Sequence, residues 1–295
     1  MKIVCVLLVL LGIVGGVGAY VLSGFILQAN RQTLEEAIAW QKDHYDISWF
    51  DGIKTDEYTV PGYEGYTLHV MLCRNPVVSD KYIIISHGHT DNRYGDLKYM
   101  KMYLDLGFNC VVYDLRGHGE NERTPCTYGV KEGQDLVCLI KDTRERYGKD
   151  IRLGLHGESL GSATTVSALG STQDVAFAVA DCGFADISGV LAAGLPGPVL
   201  KLASLGAKMR CGIFLGDMRP IDALAENEVP ILFIHGAEDP FISPSNSERM
   251  SAATKGYSEV RMIPGAGHAE SVLKDPGLYR EYVEAFLTET GALGR

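Results

Sequence analysis

Three residues have the types and positions for nucleophilic chemistry: Ser159, Asp239 and His268. Ser159 lies in Gly157-Glu158-Ser159-Leu160-Gly161, between an apolar run, 151–155, and a small-residue stretch, 162–169, that reads as a helix. A serine that attacks a carbonyl must project its oxygen from a tight strand-to-helix turn with a strained backbone. Glycines two residues before and after Ser159 leave room for such a turn. The following helix would bring its N-terminal N–H groups near the oxyanion formed on attack. Gly-x-Ser-x-Gly recurs by chance, so its partners must decide.

A serine hydroxyl is a poor nucleophile at neutral pH and needs a base beside it. His268 closes the glycine-rich turn Gly265-Ala266-Gly267-His268 and is the candidate. Asp239 would hold the imidazole in one tautomer and stabilise the imidazolium as it forms. Glu238, one residue nearer its strand, is the rival acid. An oxyanion hole needs two N–H donors aimed at one oxygen. Leu160 is expected to supply one, and His89 the other, with Thr90 as the alternative. His87, His89 and Asp91 could suggest a metal, but no further ligand set converges and the seven cysteines lack Cys-x-x-Cys spacing. Neither metal nor cofactor is expected. Glu158 is read as shaping the entrance or facing solvent. His118, His156 and His235 need no special role.

These residues must be positioned by strands. Apolar runs at 82–85, 109–113, 151–155, 175–180, 230–234 and 259–263 each end in a polar or glycine-rich turn and alternate with helical stretches. That rhythm predicts an α/β fold, a mostly parallel sheet with helices on both faces and its site at the strands' carboxyl ends. Ser159, Asp239 and His268 occupy three such ends in that chain order. Two β-type segments, 57–60 and 66–73, come first. The corner Asp114-x-Arg116-Gly117-His118-Gly119 reads as structural, with Arg116 bonding loop carbonyls.

A chain of 295 residues, 46% hydrophobic, can bury a sizeable core. Its net charge of −10 argues against nucleic acid. Residues 3–27 carry no charge and are long enough to span a bilayer, so 1–28 is expected to be an N-terminal transmembrane anchor. Cleavage after Ala19 as a secretory signal is the rival, disfavoured because the apolar run continues through Tyr20-Val21-Leu22. The short tail with Lys2 favours a single-pass protein with an extracytoplasmic catalytic domain. Residues 29–50 read as a tether, with Thr33 and Glu36 spaced as a capping box. The catalytic domain follows at 51–295 with a small lid at about 185–229, in which Leu195, Val199, Leu200, Leu202 and Leu205 could line an entrance.

Together Ser86-His87-Gly88, Asp114-x-Arg116-Gly117-x-Gly119, Gly157-Glu158-Ser159-Leu160-Gly161, Phe233-Ile234-His235-Gly236-x-x-Asp239 and Gly265-x-Gly267-His268 resemble the α/β-hydrolase superfamily over about 57–287. The chain looks like its bacterial, membrane-anchored branch of serine-aminopeptidase-like and esterase-like enzymes. The resemblance implies an eight-stranded, mostly parallel sheet and hydrolysis of an ester, thioester or amide. The expected function is a serine hydrolase cleaving small acyl esters, including lipid-derived ones, through an acyl-enzyme. The alternatives are a serine peptidase releasing short peptides or amino acids, and a catalytically silent, membrane-tethered binding module. Substrate and oligomeric state stay open, because this fold hosts many chemistries.

Overall fold

The structure is a computed structural model that describes residues 2–28 and 31–293, with side chains from residue 12 onward. Eight strands form one sheet in the order β1-β2-β4-β3-β5-β6-β7-β8. They are β1 Thr55–Pro61, β2 Thr67–Cys73, β3 Lys81–Ser86, β4 Asn109–Tyr113, β5 Arg152–Glu158, β6 Phe177–Asp181, β7 Ile231–Gly236 and β8 Ser258–Ile263. β2 runs antiparallel to both β1 and β4, and every pairing from β4 through β8 is parallel. This is the α/β-hydrolase fold.

The long apolar runs become the central strands because both faces are covered. Alternation along each strand divides its residues between two cores. Ile83, Ile85, Val112, Val179 and Leu232 pack with helices α3 (Leu97–Asp105) and α10 (Pro276–Glu289). Ile84, Val111, Leu155, Ala178 and Phe233 pack with α4 (Val130–Tyr147) and α5 (Leu160–Leu169). The remaining helices are α1 Lys2–Leu27, α2 Leu34–His44, α6 Ile187–Ala192, α7 Gly197–Cys211, α8 Ser245–Ala253 and α9 Ser271–Lys274. α2 begins with the expected capping box, Thr33 Oγ1 accepting from the Glu36 N–H and the Glu36 carboxylate from the Thr33 N–H. The six described cysteines are free thiols.

The expectation of a membrane anchor at 1–28, and with it of a single-pass protein with an extracytoplasmic domain, is corrected. Among the described residues, no helix is long and apolar enough to cross a membrane. The side chains of 1–11, Cys5 included, lie outside those described. In the described part of α1, one narrow face packs within the chain, while Ile13, Val14, Val17, Val21 and Phe25 are exposed. Ala19, Ser23 and Leu27 are buried. Gly206 of α7 approaches so closely that a Cβ there would sit 1.9 Å from the Ala19 carbonyl oxygen. Arg210 donates to the Tyr20 carbonyl at 2.8 Å and stacks 3.8 Å above the Tyr20 ring. Hydrophobicity alone does not distinguish a lipid-facing helix from one packed on a protein, and here contacts from α7 and the 126–128 turn account for the buried positions.

Candidate active site

Ser159 follows directly on β5 and caps α5, with φ 53° and ψ −109°. Such a backbone is costly for a residue with a Cβ and persists only where the surroundings impose it. The Ser159 N–H donates to the Asp181 carbonyl at 2.9 Å, tying the turn to β6. The glycines on either side are demanded by close approach: a Cβ on Gly157 would lie 2.1 Å from the Gly161 carbonyl, and one on Gly161 would lie 1.8 Å from that of Ser86. Cys182, Ala269 and Tyr128, near the same end of the sheet, also have positive φ.

The three sequence candidates converge. Ser159 Oγ lies 3.0 Å from His268 Nε2, and His268 Nδ1 lies 2.7 Å from Asp239 Oδ2. Since Nδ1 faces a carboxylate, it carries the ring proton, leaving the Nε2 lone pair to accept from the serine hydroxyl. Asp239 also accepts from the Phe241 and Ile242 N–H groups, each at 2.8 Å. Burial works to raise its pKa. Hydrogen bonds from His235 and His268, the charge of His268 and the Ile242 N–H outweigh burial and hold it well below the usual carboxylate range. Glu238 is exposed, its N–H donating to the Ala266 carbonyl.

Leu160 is the first residue of α5, so its N–H has no partner within the helix. His89 lies in the turn after β3. The ring stacks on Tyr128 with centroids 5.5 Å apart, and burial lowers its pKa to about 4. Thr90, the alternative donor, is exposed, and its carbonyl accepts from the Gln32 N–H. The turn itself is held by His87. Its Nε2 accepts from the Leu115 N–H at 2.9 Å and its Nδ1–H donates to the Gly88 carbonyl at 2.7 Å. Burial pushes His87 to about 4, so the ring is neutral, as two opposite roles require. No group of His, Cys, Asp and Glu able to hold a metal occurs among the described residues.

Several supporting roles were not read from the sequence. Glu158 does not face solvent: it is buried, 2.5 Å from Lys98 Nζ, and accepts from the Tyr99 hydroxyl at 2.5 Å. Burial acts to lower the Lys98 pKa, but the adjacent Glu158 raises it overall. Asp181, pushed up to about 6 by burial and then by Glu158, accepts from Tyr99 at 3.2 Å and from Ser271 at 3.3 Å. His235 also has a task. Its Nε2–H donates to the Ile242 carbonyl at 2.9 Å and leans 3.2 Å from Asp239 Oδ2, while Nδ1 accepts from Ser247. The only sequence signal for these roles was position: Glu158 next to Ser159, and His235 four residues before Asp239. Arg116 does bond a loop carbonyl, that of Tyr63, but its guanidinium is principally paired with buried Asp135.

An apolar groove of about 600 Å³ opens beside these residues, bounded by His89, Tyr128, Phe241 and the 190–195 segment. Phe241 lies edge-on to His268, centroids 5.2 Å apart. Of the five lid residues expected at an entrance, Leu195 lines this groove, whereas Leu202 and Leu205 are exposed on α7, Val199 is half-buried outside the groove and Leu200 packs on the core. A larger polar cleft, about 970 Å³, borders the site through Thr90 and is lined by Arg31 and Arg123.

The chain and its fold are similar to known proteins. The chain is 32% identical over 284 residues to the uncharacterized protein YqkD of Bacillus subtilis, covering 90% of this chain and 91% of that one. In fold it is similar to the Pyrococcus furiosus esterase Pf2001, with a TM-score of 0.68 and 20% identity, covering 88% of this chain and 99% of that one. It is also similar in fold to the Pyrococcus horikoshii acylaminoacyl peptidase, with a TM-score of 0.63 and 16% identity, covering 81% of this chain and 42% of that one. The prolyl oligopeptidase family model matches residues 96–289, a stretch that includes Ser159, Asp239 and His268. The chain therefore belongs to the prolyl oligopeptidase family and is a serine hydrolase of the α/β-hydrolase superfamily.

Proposed function

We propose that the protein hydrolyses carboxylic esters through an acyl-enzyme on Ser159. The observation that carries this reading is the unbroken contact from Ser159 Oγ to His268 Nε2, at 3.0 Å, and from His268 Nδ1 to Asp239, at 2.7 Å, beside an apolar groove. Ser159 attacks the ester carbonyl while His268 Nε2 takes its proton, and Asp239 stabilises the imidazolium. The N–H groups of Leu160 and His89 receive the oxyanion. Collapse expels the alcohol, which takes the proton from His268. Water, deprotonated by the same ring, then releases the acid.

Ester is favoured over peptide by the groove. The described residues lining it carry no carboxylate to hold a peptide's amino terminus and no formal charge to fix its polar backbone. A peptidase remains the second reading because the family name and the acylaminoacyl peptidase fold neighbour both point to amide substrates. The test is turnover of p-nitrophenyl esters beside aminoacyl p-nitroanilides, with fluorophosphonate labelling of the wild type and Ser159→Ala. Ester turnover and labelling, both lost in Ser159→Ala, are expected. Preference for the anilides would favour the peptidase, and undiminished labelling of Ser159→Ala would sink the nucleophile assignment.

A further inference from the structure

We propose that α1 forms one wall of the substrate groove and, through Phe25, sets the length of alkyl chain the enzyme accepts. This rests on the ester-hydrolase reading. Phe25 and Ile26 line the groove together with Leu191, Leu195 and Phe241. The groove is continuous with the chemistry on two sides. Phe241 packs against His268 and its N–H bonds Asp239, while His89 belongs to the turn assigned to the oxyanion.

The wall is held in place by its backbone. The Tyr128 hydroxyl donates to the Ile26 carbonyl at 2.6 Å, and the Cys126 N–H to the Leu27 carbonyl at 2.9 Å. About two turns earlier, Gly206 and Arg210 fix α1 against α7 at Ala19 and Tyr20. Phe25 is thus presented on a fixed backbone, yet it is 79% exposed, and Phe241, which lines the same groove, is 67% exposed. Two large aromatic rings exposed to water in the lining of one groove leave apolar area to be covered. With no charge in the lining, an unbranched alkyl chain of the substrate ester is the occupant that covers it without burying an unpaired polar group. The chain could belong to the acid or to the alcohol of the ester.

Full-length protein is assayed for kcat/KM on p-nitrophenyl esters from acetate to octanoate, and on acetate esters of alcohols from methanol to octanol. In one of the two series kcat/KM is expected to climb by up to about fourfold per methylene until the groove is filled; the series that climbs identifies the acid or the alcohol side. Phe25→Ser is expected to lower the octyl-to-shortest ratio in that series by about tenfold. Val17→Ser, on an exposed part of α1 outside the groove, should leave the ratio as it is. Phe25 is exposed, so its loss should not unfold the chain; matched thermal unfolding checks this. Chain-length dependence that ignores Phe25→Ser, or no dependence in either series, overturns this inference alone. A wild type that hydrolyses none of the esters overturns the ester reading and takes the inference with it.

Discussion

The floor and the roof of the site are built on different principles. The floor consists of strand ends, where Ser159, Asp239 and His268 rest on buried polar networks: Lys98–Glu158–Tyr99–Asp181 under the serine, and His235–Ser247 behind the aspartate. The roof consists of the end of α1, α6 and the 193–195 turn, with apolar side chains left facing the groove, and α1 is held to α7 by close backbone approach at Gly206. A polar network specifies position to a fraction of an ångström but fails sharply when one member is removed. A small-residue helix contact tolerates adjustment. In the reading proposed above, chemistry belongs to the floor and selectivity to the roof.

The comparison breaks most readily at Asp239. Asp239→Asn is expected to lower kcat by about 10⁴, whereas Glu238→Gln should change it by less than about tenfold, because Glu238 is exposed. Steady-state kinetics on one ester, with both variants shown to be folded, checks it. The reverse ranking would move the acid to Glu238.

Lys98→Met tests the network under the serine. It leaves Glu158 buried beside Tyr99 with no counter-charge, at an expected cost of about 3–5 kcal/mol in urea unfolding. The double variant Lys98→Met/Glu158→Gln should recover most of that loss, since a neutral pair needs no counter-ion. A single-variant cost below about 1 kcal/mol would mean water reaches Glu158 and the floor is softer than drawn.

pH separates the same regions. His156, buried among Tyr99, Tyr103 and Tyr279, has its pKa lowered by burial and then by Lys98, to about 3. The unfolded chain takes up a proton at this position below about 6.5, while the folded one does not until about 3. Its contribution is thus complete above pH 6.5 and is lost as pH falls toward 3. His156→Gln should remove this component, so that the drop in Tm between pH 7 and pH 5 shrinks by about 5 °C. The carboxyls of Asp91 and Asp181, raised to about 6, act with the opposite sign and are common to both proteins.

The smallest effect is expected in the roof. Gly206→Val must push α1 off α7 to make room for its side chain, costing about 1–3 kcal/mol. Its kcat on p-nitrophenyl acetate should stay within about threefold of wild type if the floor is independent of that contact. A loss as large as that of Asp239→Asn would erase the division between floor and roof.

Much of the floor was legible in the sequence. Apolar runs ending in Gly-rich or polar turns determined a parallel sheet with helices on both faces, because each strand had to be buried twice. The chain order of Ser159, Asp239 and His268 and their strand-end positions could be read directly, and so could the two glycines around the serine. Only the tertiary structure decided what each buried charge meets. Glu158 beside a serine looks like a surface carboxylate until α3 delivers Lys98, sixty positions away in the chain, and His235 looks idle until Ser247 and Ile242 fold over it. The same limit governs α1. Composition determined that its residues are apolar, but hydrophobicity carries no direction. Whether Ala19, Ser23 and Leu27 would meet lipid or protein depended on Gly206 and the 126–128 turn, contacts between segments more than a hundred residues apart along most of that interface.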